Sequence, residues 1–252
     1  MFDLKGRVAI VTGGNGGIGL GMARGLATAG ARIVVAARNE AKSAEAVREL
    51  AKLGTEAHAI TTDVTDEAAV ERLIAATLER CGRLDVLVNN AGTNIRKPLH
   101  EYSLEEWRQV LDTNLTSAFL CSKAAHAAFK RGGGGKVINI GSMLSIFGAG
   151  FAPAYGASKG GIVQLTKSAA VAWAPDNVQV NAVLPGWIDT ELTRTGRREI
   201  PWLHDAVLKR TPAARWGVID DMAGVAVFLA SHASDFVTGA VIPVDGGYSI
   251  QA

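Results

Sequence analysis

The chain has 252 residues, 48% of them hydrophobic and 20% charged, and a formal net charge of +2. That length suits one α/β unit with a sizeable core, and the near-balanced charge excludes a surface built to grip nucleic-acid phosphates. No run of about 18 apolar residues occurs, which excludes a membrane-spanning helix.

Strands and helices are predicted in strict alternation. A strand over Arg7–Thr12 leads into a helix over Ile18–Ala29. The strand Arg32–Ala37 is followed by a helix over Asn39–Leu53, and the strand Glu56–Thr61 by a helix over Ala68–Arg80. Next come a strand at Val86–Asn89, a long helix over Leu104–Lys130, a strand at Lys136–Ile140 and a helix over Ala154–Ala174. The strand Val178–Val183, a helix over Asp221–Ala230 and the strand Val241–Val244 complete the series. The strand runs are dominated by Val, Ile and Ala with little polar alternation, as buried parallel strands require. Repeated strand–helix units predict a doubly wound parallel sheet of about seven strands with helices on both faces. Thr65, followed by Asp66 and Glu67, is a predicted helix cap, as is Asp220; Ser103-x-x-Glu106 reads as a capping box. The run Gly132–Gly135 reads as a helix stop and turn. No linker divides the chain, so residues 1–252 read as a single dinucleotide-binding catalytic domain. Asp189–Pro212 interrupts the rhythm with Trp202 and four arginines, and is expected to be a lid over a site.

Metal and disulfide chemistry find no support. Cys81 and Cys121 lie far apart without a CxxC, and five histidines show no HxH or HExxH spacing. Both cysteines read as small buried hydrophobes in a reducing compartment. No secretory-leader pattern precedes the strand-like run at Val8, and the expected location is cytoplasmic.

Two motifs carry chemistry. The first is Thr12-Gly13-Gly14-Asn15-Gly16-Gly17-Ile18-Gly19, between the first strand and the first helix. Glycines there permit a tight turn and close approach of a pyrophosphate, which the helix N-terminus attracts with free N–H groups. At the end of the second strand, dinucleotide folds that use NAD commonly place an acid for the ribose hydroxyl. Ala37 supplies none, and Arg38 can pair with a 2′-phosphate. NADP(H) is therefore favoured, with NAD(H) left open should Arg38 stack on adenine or face solvent. Asp63, ending the third strand, can accept from the adenine amino group or serve as a helix cap.

The second motif is Tyr155-x-x-x-Lys159, preceded by Ser142. Positions i and i+4 share a helix face. An ammonium fixed near a phenol, whose ordinary pKa is about 10, favours phenolate and makes a general acid/base usable near neutral pH.

With Asn89-Asn90-Ala91-Gly92, Asn114, Pro185-Gly186 and Val244-Asp245-Gly246-Gly247 in order around these motifs, the chain resembles the short-chain dehydrogenase/reductase family from Gly6 to Gly247. The resemblance implies a Rossmann-like fold and hydride transfer between a nicotinamide and a carbinol or carbonyl carbon. It implies that Tyr155 exchanges the proton, Ser142 orients the substrate oxygen, and Lys159 holds the nicotinamide ribose and lowers the Tyr155 pKa. Asn114 is implied to bend its helix and hold a water that relays protons to Lys159. The implied cofactor contacts are Gly13, Asn15, Gly17, Ile18 and Gly19 in the glycine turn. Arg38, Asp63 and Val64 follow at the ends of the second and third strands. Asn90, Ala91 and Gly92 line the cleft beside Tyr155 and Lys159, and Pro185, Gly186, Ile188 and Thr190 meet the nicotinamide end.

Asn94-Ile95-Arg96-Lys97, Ser142-Met143-Leu144-Ser145 and Arg215-Trp216-Gly217 are similar to the sugar-acid members, the gluconate 5-dehydrogenases and 2-dehydro-3-deoxygluconate 5-dehydrogenases. Arg96 is then the expected ligand of a substrate carboxylate, with Arg194, Arg197 and Arg198 adding positive potential. A neutral sugar, polyol or general carbonyl substrate is the alternative. A catalytically silent nucleotide-binding sensor or scaffold is the non-enzyme alternative, and the presence of Ser142, Tyr155 and Lys159 speaks against it. Small residues on the helix Ala154–Ala174 and family analogy imply a homotetramer.

Overall fold

The computed structural model describes residues 1–251. Its seven strands are β1 (Val8–Thr12), β2 (Arg32–Ala37), β3 (Ala57–Thr61), β4 (Val86–Asn89), β5 (Gly135–Ile140), β6 (Val178–Pro185) and β7 (Val241–Val244). All pair in parallel in the order β3-β2-β1-β4-β5-β6-β7. The order reverses between β1 and β4, and ligands of such sheets bind outside the strand C-termini at that point.

Every residue of β1, β4, β5 and β6 is buried, so both faces of the central sheet must be covered. Helices α1 (Gly17–Thr28), α2 (Glu40–Ala51) and α9 (Ala223–Ala230) cover one face, closing a core that includes Met22, Leu26, Ile33, Leu50 and Leu229. On the other face lie α3 (Glu67–Cys81), α5 (Ser117–Arg131) and α6 (Pro153–Trp173), around Ile10, Leu73, Leu87, Phe129 and Val180. Phe129 is fully buried; truncating such a side chain to alanine costs about 3–5 kcal/mol.

The caps follow local chemistry, with two departures from the sequence expectation. Asp66, not Thr65, caps α3: its carboxylate accepts from the Ala68 and Ala69 N–H groups. Thr65 is instead held by Asp63, which accepts from its N–H at 3.0 Å and its hydroxyl at 2.7 Å. Asp220 does not cap α9. It sits in a 3₁₀ turn over Ile219–Met222 that precedes the helix, and pairs with Arg24 at 3.1 Å. The Ser103–Glu106 capping box forms as expected at α4 (Leu104–Leu111). The glycine run stops α5 at Gly132, turns through Gly133 and Gly134, and enters β5 at Gly135.

The long helix expected over 104–130 is α4 and α5 joined by a π-helical turn, Asp112–Thr116, that contains Asn114. A π turn inserts one residue into the helical ladder and re-aims the side chains around it. The interrupting segment forms α7 (Glu191–Glu199) and α8 (Leu203–Arg210). No helix among the described residues is long and apolar enough to cross a membrane. Among those residues there is likewise no cluster of potential metal ligands. Cys81 and Cys121 are both buried free thiols.

Candidate active site

One large cavity, of about 990 Å³, runs along the strand C-termini from the glycine turn to α8. At its first end, Gly16 precedes α1 as its N-cap, with no side-chain cap and no acid in the first turn. Gly16, Gly17 and Ile18 line the cavity there, so the N–H groups that α1 leaves unpaired face open space. Gly17 has φ +52 and Gly13 φ +62, a region that L side chains rarely adopt. A Cβ on Gly13 would lie 3.0 Å from Asn90 Nδ2 and 3.2 Å from Ala91 Cα. Such an uncapped, side-chain-free helix start fits a pyrophosphate, and the chain's residues therefore fit a dinucleotide.

The cavity also gathers Asn15, Asn90, Ala91, Gly92, Pro185, Gly186, Ile188 and Thr190, all named from the sequence. Gly19 works differently. It is buried beneath the turn, where a Cβ would overlap Asn90 Nδ2 and the Gly13 carbonyl. Arg38, Asp63 and Val64 lie at the ends of β2 and β3, outside the cavity wall. The Arg38 side chain is 78% exposed and 3.9 Å from Asp63. Lys42, which sequence reasoning passed over, does line the cavity. Asn39 caps α2 by accepting from the Lys42 N–H, and the Lys42 Nζ reaches Glu191 of α7 at 3.4 Å.

Midway along, β5 ends at Ile140 and a 3₁₀ turn over Met143–Ser145 follows Ser142. The Ser145 hydroxyl donates to the Lys159 carbonyl at 2.7 Å, tying this turn to α6. Tyr155 and Lys159, one turn apart on α6, both face the cavity. The Lys159 Nζ donates to the Ile140 carbonyl at 2.7 Å and sits 5.6 Å from the Tyr155 ring centre. Burial lowers the Lys159 pKa to about 8. Burial also dominates at Tyr155 and raises its pKa above the ordinary phenol value; the Ser142 hydroxyl and the Arg96 charge pull it partway back. The net direction is thus opposite to the lowering expected from Lys159, because desolvation outweighs the Ser142 hydrogen bond and the Arg96 charge.

Asn114 is 2% exposed. Its Oδ1 accepts from the Thr93 N–H at 2.7 Å, and its Nδ2 donates to the Thr93 carbonyl at 2.9 Å and to Ser158 Oγ at 3.0 Å. The π turn thereby fixes the loop after β4 against α6, beside Gly92 and Lys159.

At the far end, Arg96 lines the cavity with its donors engaged: Nη1 to Glu199 at 3.1 Å and Nη2 to the Leu192 carbonyl at 2.9 Å. Gly196 makes room for it, since a Cβ there would lie 3.1 Å from Arg96 Nη2. Arg194 pairs with Asp189 at 2.7 Å, Arg197 pairs with the same carboxylate, and Arg198 donates to Thr195 at 2.9 Å. None of these three lines the cavity. Among the described residues, the arginine of this segment that lines the cavity without an acid partner is Arg210, which the sequence offered only as one of four. Its guanidinium packs 4.6 Å from the Phe147 ring centre and 4.5 Å from that of Tyr248.

Residues 13–249 match a family described as "Enoyl-(Acyl carrier protein) reductase". The 2-dehydro-3-deoxy-D-gluconate 5-dehydrogenase of Formosa agariphila is 42% identical over 98% of this chain and 94% of its own length. The gluconate 5-dehydrogenase of Gluconobacter oxydans is 39% identical over 100% of this chain and 98% of its own. Among solved structures, a gluconate 5-dehydrogenase from Burkholderia cenocepacia, in complex with NADP and tartrate, superposes with a TM-score of 0.95 at 41% identity. That match covers 100% of this chain and 98% of the other.

Proposed function

The chain belongs to the short-chain dehydrogenase/reductase family, and from that premise we propose that it is an NADP(H)-preferring oxidoreductase acting on a secondary alcohol or ketone of a sugar acid. One observation carries this: a single cavity joins an uncapped glycine turn to Ser142, Tyr155 and Lys159. The sugar-acid names and the bound NADP of the relatives support the substrate class and cofactor.

The nicotinamide, when bound, supplies hydride acceptance or donation. Everything else falls to the protein. Ser142 holds the substrate oxygen by a hydrogen bond, next to the Tyr155 phenol. Tyr155 gives its proton to that oxygen in the reducing direction and takes one from it in the oxidising direction. Lys159, charged below its pKa of about 8, stabilises phenolate and supplies donors for ribose hydroxyls. Asn114 positions this pair through Thr93 and Ser158. Gly13, Asn15, Gly17 and Ile18 receive the pyrophosphate, and Gly19 keeps the turn closed. Arg38 meets the 2′-phosphate, with Asp63 and Val64 beside the adenine; Asn90, Ala91, Gly92, Pro185, Gly186, Ile188 and Thr190 line the nicotinamide half. Residues 189–212 act as a lid, with Glu191 clasped to Lys42 and Glu199 to Arg96.

The enzyme works in the cytoplasm as a homotetramer. Apolar side chains left open on α5, α6 and before β7, namely Phe119, Val171 and Phe236 at 47%, 81% and 104% exposure, support the assembly.

The test is turnover of D-gluconate, its keto and 3-deoxy analogues and sorbitol with NADP and with NAD. Acid turnover with NADP supports the proposal. Activity confined to sorbitol removes the sugar-acid assignment, and no turnover of any of them removes both the sugar-acid and the polyol readings.

A further inference from the structure

Lys42 lines the cavity without belonging to any motif of the sequence. Its ammonium lies over the glycine turn: a Cβ on Gly16 would sit 2.9 Å from Lys42 Cε and 3.0 Å from Nζ. Gly16 is the N-cap of α1 and has no side chain to satisfy the N–H groups behind it. The ammonium and the helix start therefore aim two sources of positive charge at one space. Local chemistry fixes the lysine there. Asn39 caps α2 by accepting from the Lys42 N–H at 2.9 Å. Asn15 of the turn donates to Ser43 Oγ at 3.0 Å, and that hydroxyl donates to the Asn39 carbonyl at 2.8 Å. Side chains in a first helical turn lean toward the helix N-terminus, which for α2 is the strand-end side of the sheet.

Across the turn stands the start of α7. Thr190, its N-cap, would lie 3.5 Å from a Cβ on Gly17, and the next residue, Glu191, reaches the Lys42 Nζ at 3.4 Å. That pair is loose, because its carboxylate is 87% exposed and exposed ion pairs hold little. Glu191 also lies in the first turn of α7, where the helix N-terminus suits an acid without any lysine. A phosphate on the α1 N-terminus brings a second anion within reach of the same ammonium, and the two anions repel each other. The phosphate prevails, since the α1 N–H groups hold it as well.

Resting on the dinucleotide reading, we propose that Lys42 is a ligand of a cofactor phosphate, and that Glu191 competes with that phosphate for its ammonium. The group bound is the 2′-phosphate or the pyrophosphate, which present the same charged oxygens to a lysine. Cofactor and α7 thereby contend for one cation.

The experiment measures Kd for NADPH and NADH by fluorescence titration in wild type, Lys42→Met, Lys42→Arg, Glu191→Gln and the double variant Lys42→Met/Glu191→Gln. Lys42→Met weakens NADPH binding about tenfold, and Lys42→Arg, which keeps the charge, retains most of it. Unchanged NADH binding in Lys42→Met assigns the contact to the 2′-phosphate; an equal loss for NADH assigns it to the pyrophosphate. Glu191→Gln removes the competitor and tightens NADPH binding about twofold to fivefold, a gain that vanishes in the double variant. A gain that persists there, or none in Glu191→Gln, overturns the competition. Kd values within twofold of wild type for both cofactors in Lys42→Met overturn the phosphate contact. A wild type that binds neither cofactor overturns the dinucleotide reading itself, a result distinct from tight binding that ignores Lys42.

Discussion

The two ends of the cavity are built on different logic. The glycine-turn end is made of backbone contributed by a few consecutive residues, where what matters is the absence of a Cβ. The α8 end is made of side chains from segments far apart in sequence: Arg96, Phe147, Trp187, Arg210 and Tyr248. Arg96 and Arg210 both line the cavity, one paired with Glu199 and one, among the described residues, without an acid. Backbone sites are therefore specified locally, whereas charge at a side-chain site depends on which acid the fold delivers.

The sharpest break of this contrast is at its middle. Tyr155→Phe removes one hydroxyl and leaves the backbone cradle intact, so kcat falls about 10²–10⁴-fold while NADPH titration gives an unchanged Kd. Turnover close to wild type would sink the proton-transfer role. pH divides the same group by direction of reaction. Burial raises the Tyr155 pKa above the ordinary phenol value, so the phenol form dominates at neutral pH. Oxidation needs phenolate, and its kcat/KM climbs by up to about tenfold per pH unit from neutrality to about pH 8, above which Lys159 loses its charge; reduction uses phenol and gains nothing from alkali. An oxidation profile that falls with rising pH contradicts this.

Gly19→Ala tests the backbone end, where a methyl overlaps Asn90 and the Gly13 carbonyl. Overpacking of this kind costs about 1–3 kcal/mol, read by denaturant titration, and weakens NADPH binding alongside; full stability would mean that the turn yields. Arg38→Ala acts at an exposed guanidinium, and NADPH affinity drops by roughly tenfold with NADH affinity held. Equal losses for both cofactors would remove the 2′-phosphate contact. The smallest effect belongs to Glu199→Gln. It breaks a half-exposed ion pair worth no more than about 1 kcal/mol, yet limited proteolysis of 191–210 quickens. An unchanged cleavage rate would show that the pair does not hold the lid.

All seven strands were legible in the sequence because buried parallel strands are runs of Val, Ile and Ala. The glycine turn and the Tyr155/Lys159 pair were legible because their spacing is local. The misassigned caps, Thr65 and Asp220, show the limit: neighbouring polar residues compete for one helix start, and the competition is settled next door by Asp63 in one case and from a distant helix by Arg24 in the other. The resemblance implied a bend at Asn114, but its form as a π turn and the raised Tyr155 pKa were illegible because packing and desolvation act only once the sheet has formed. Lys42 and Arg210 were missed for the converse reason. Nothing near them in sequence marks a lysine or arginine as facing a cavity.

The two clasps of the segment over the cavity are unequal. Lys42 and Glu191 are 46% and 87% exposed, whereas Arg96 is only 13% exposed against Glu199. Dissolved salt, with a screening length of about 8 Å at physiological ionic strength, weakens the outer clasp and spares the inner one. If residues 189–212 act as the proposed lid, rising ionic strength loosens its Lys42 contact before its Arg96 contact. Where product release limits turnover, moderate salt speeds the enzyme rather than slowing it, and cofactor exchange gains more than substrate exchange.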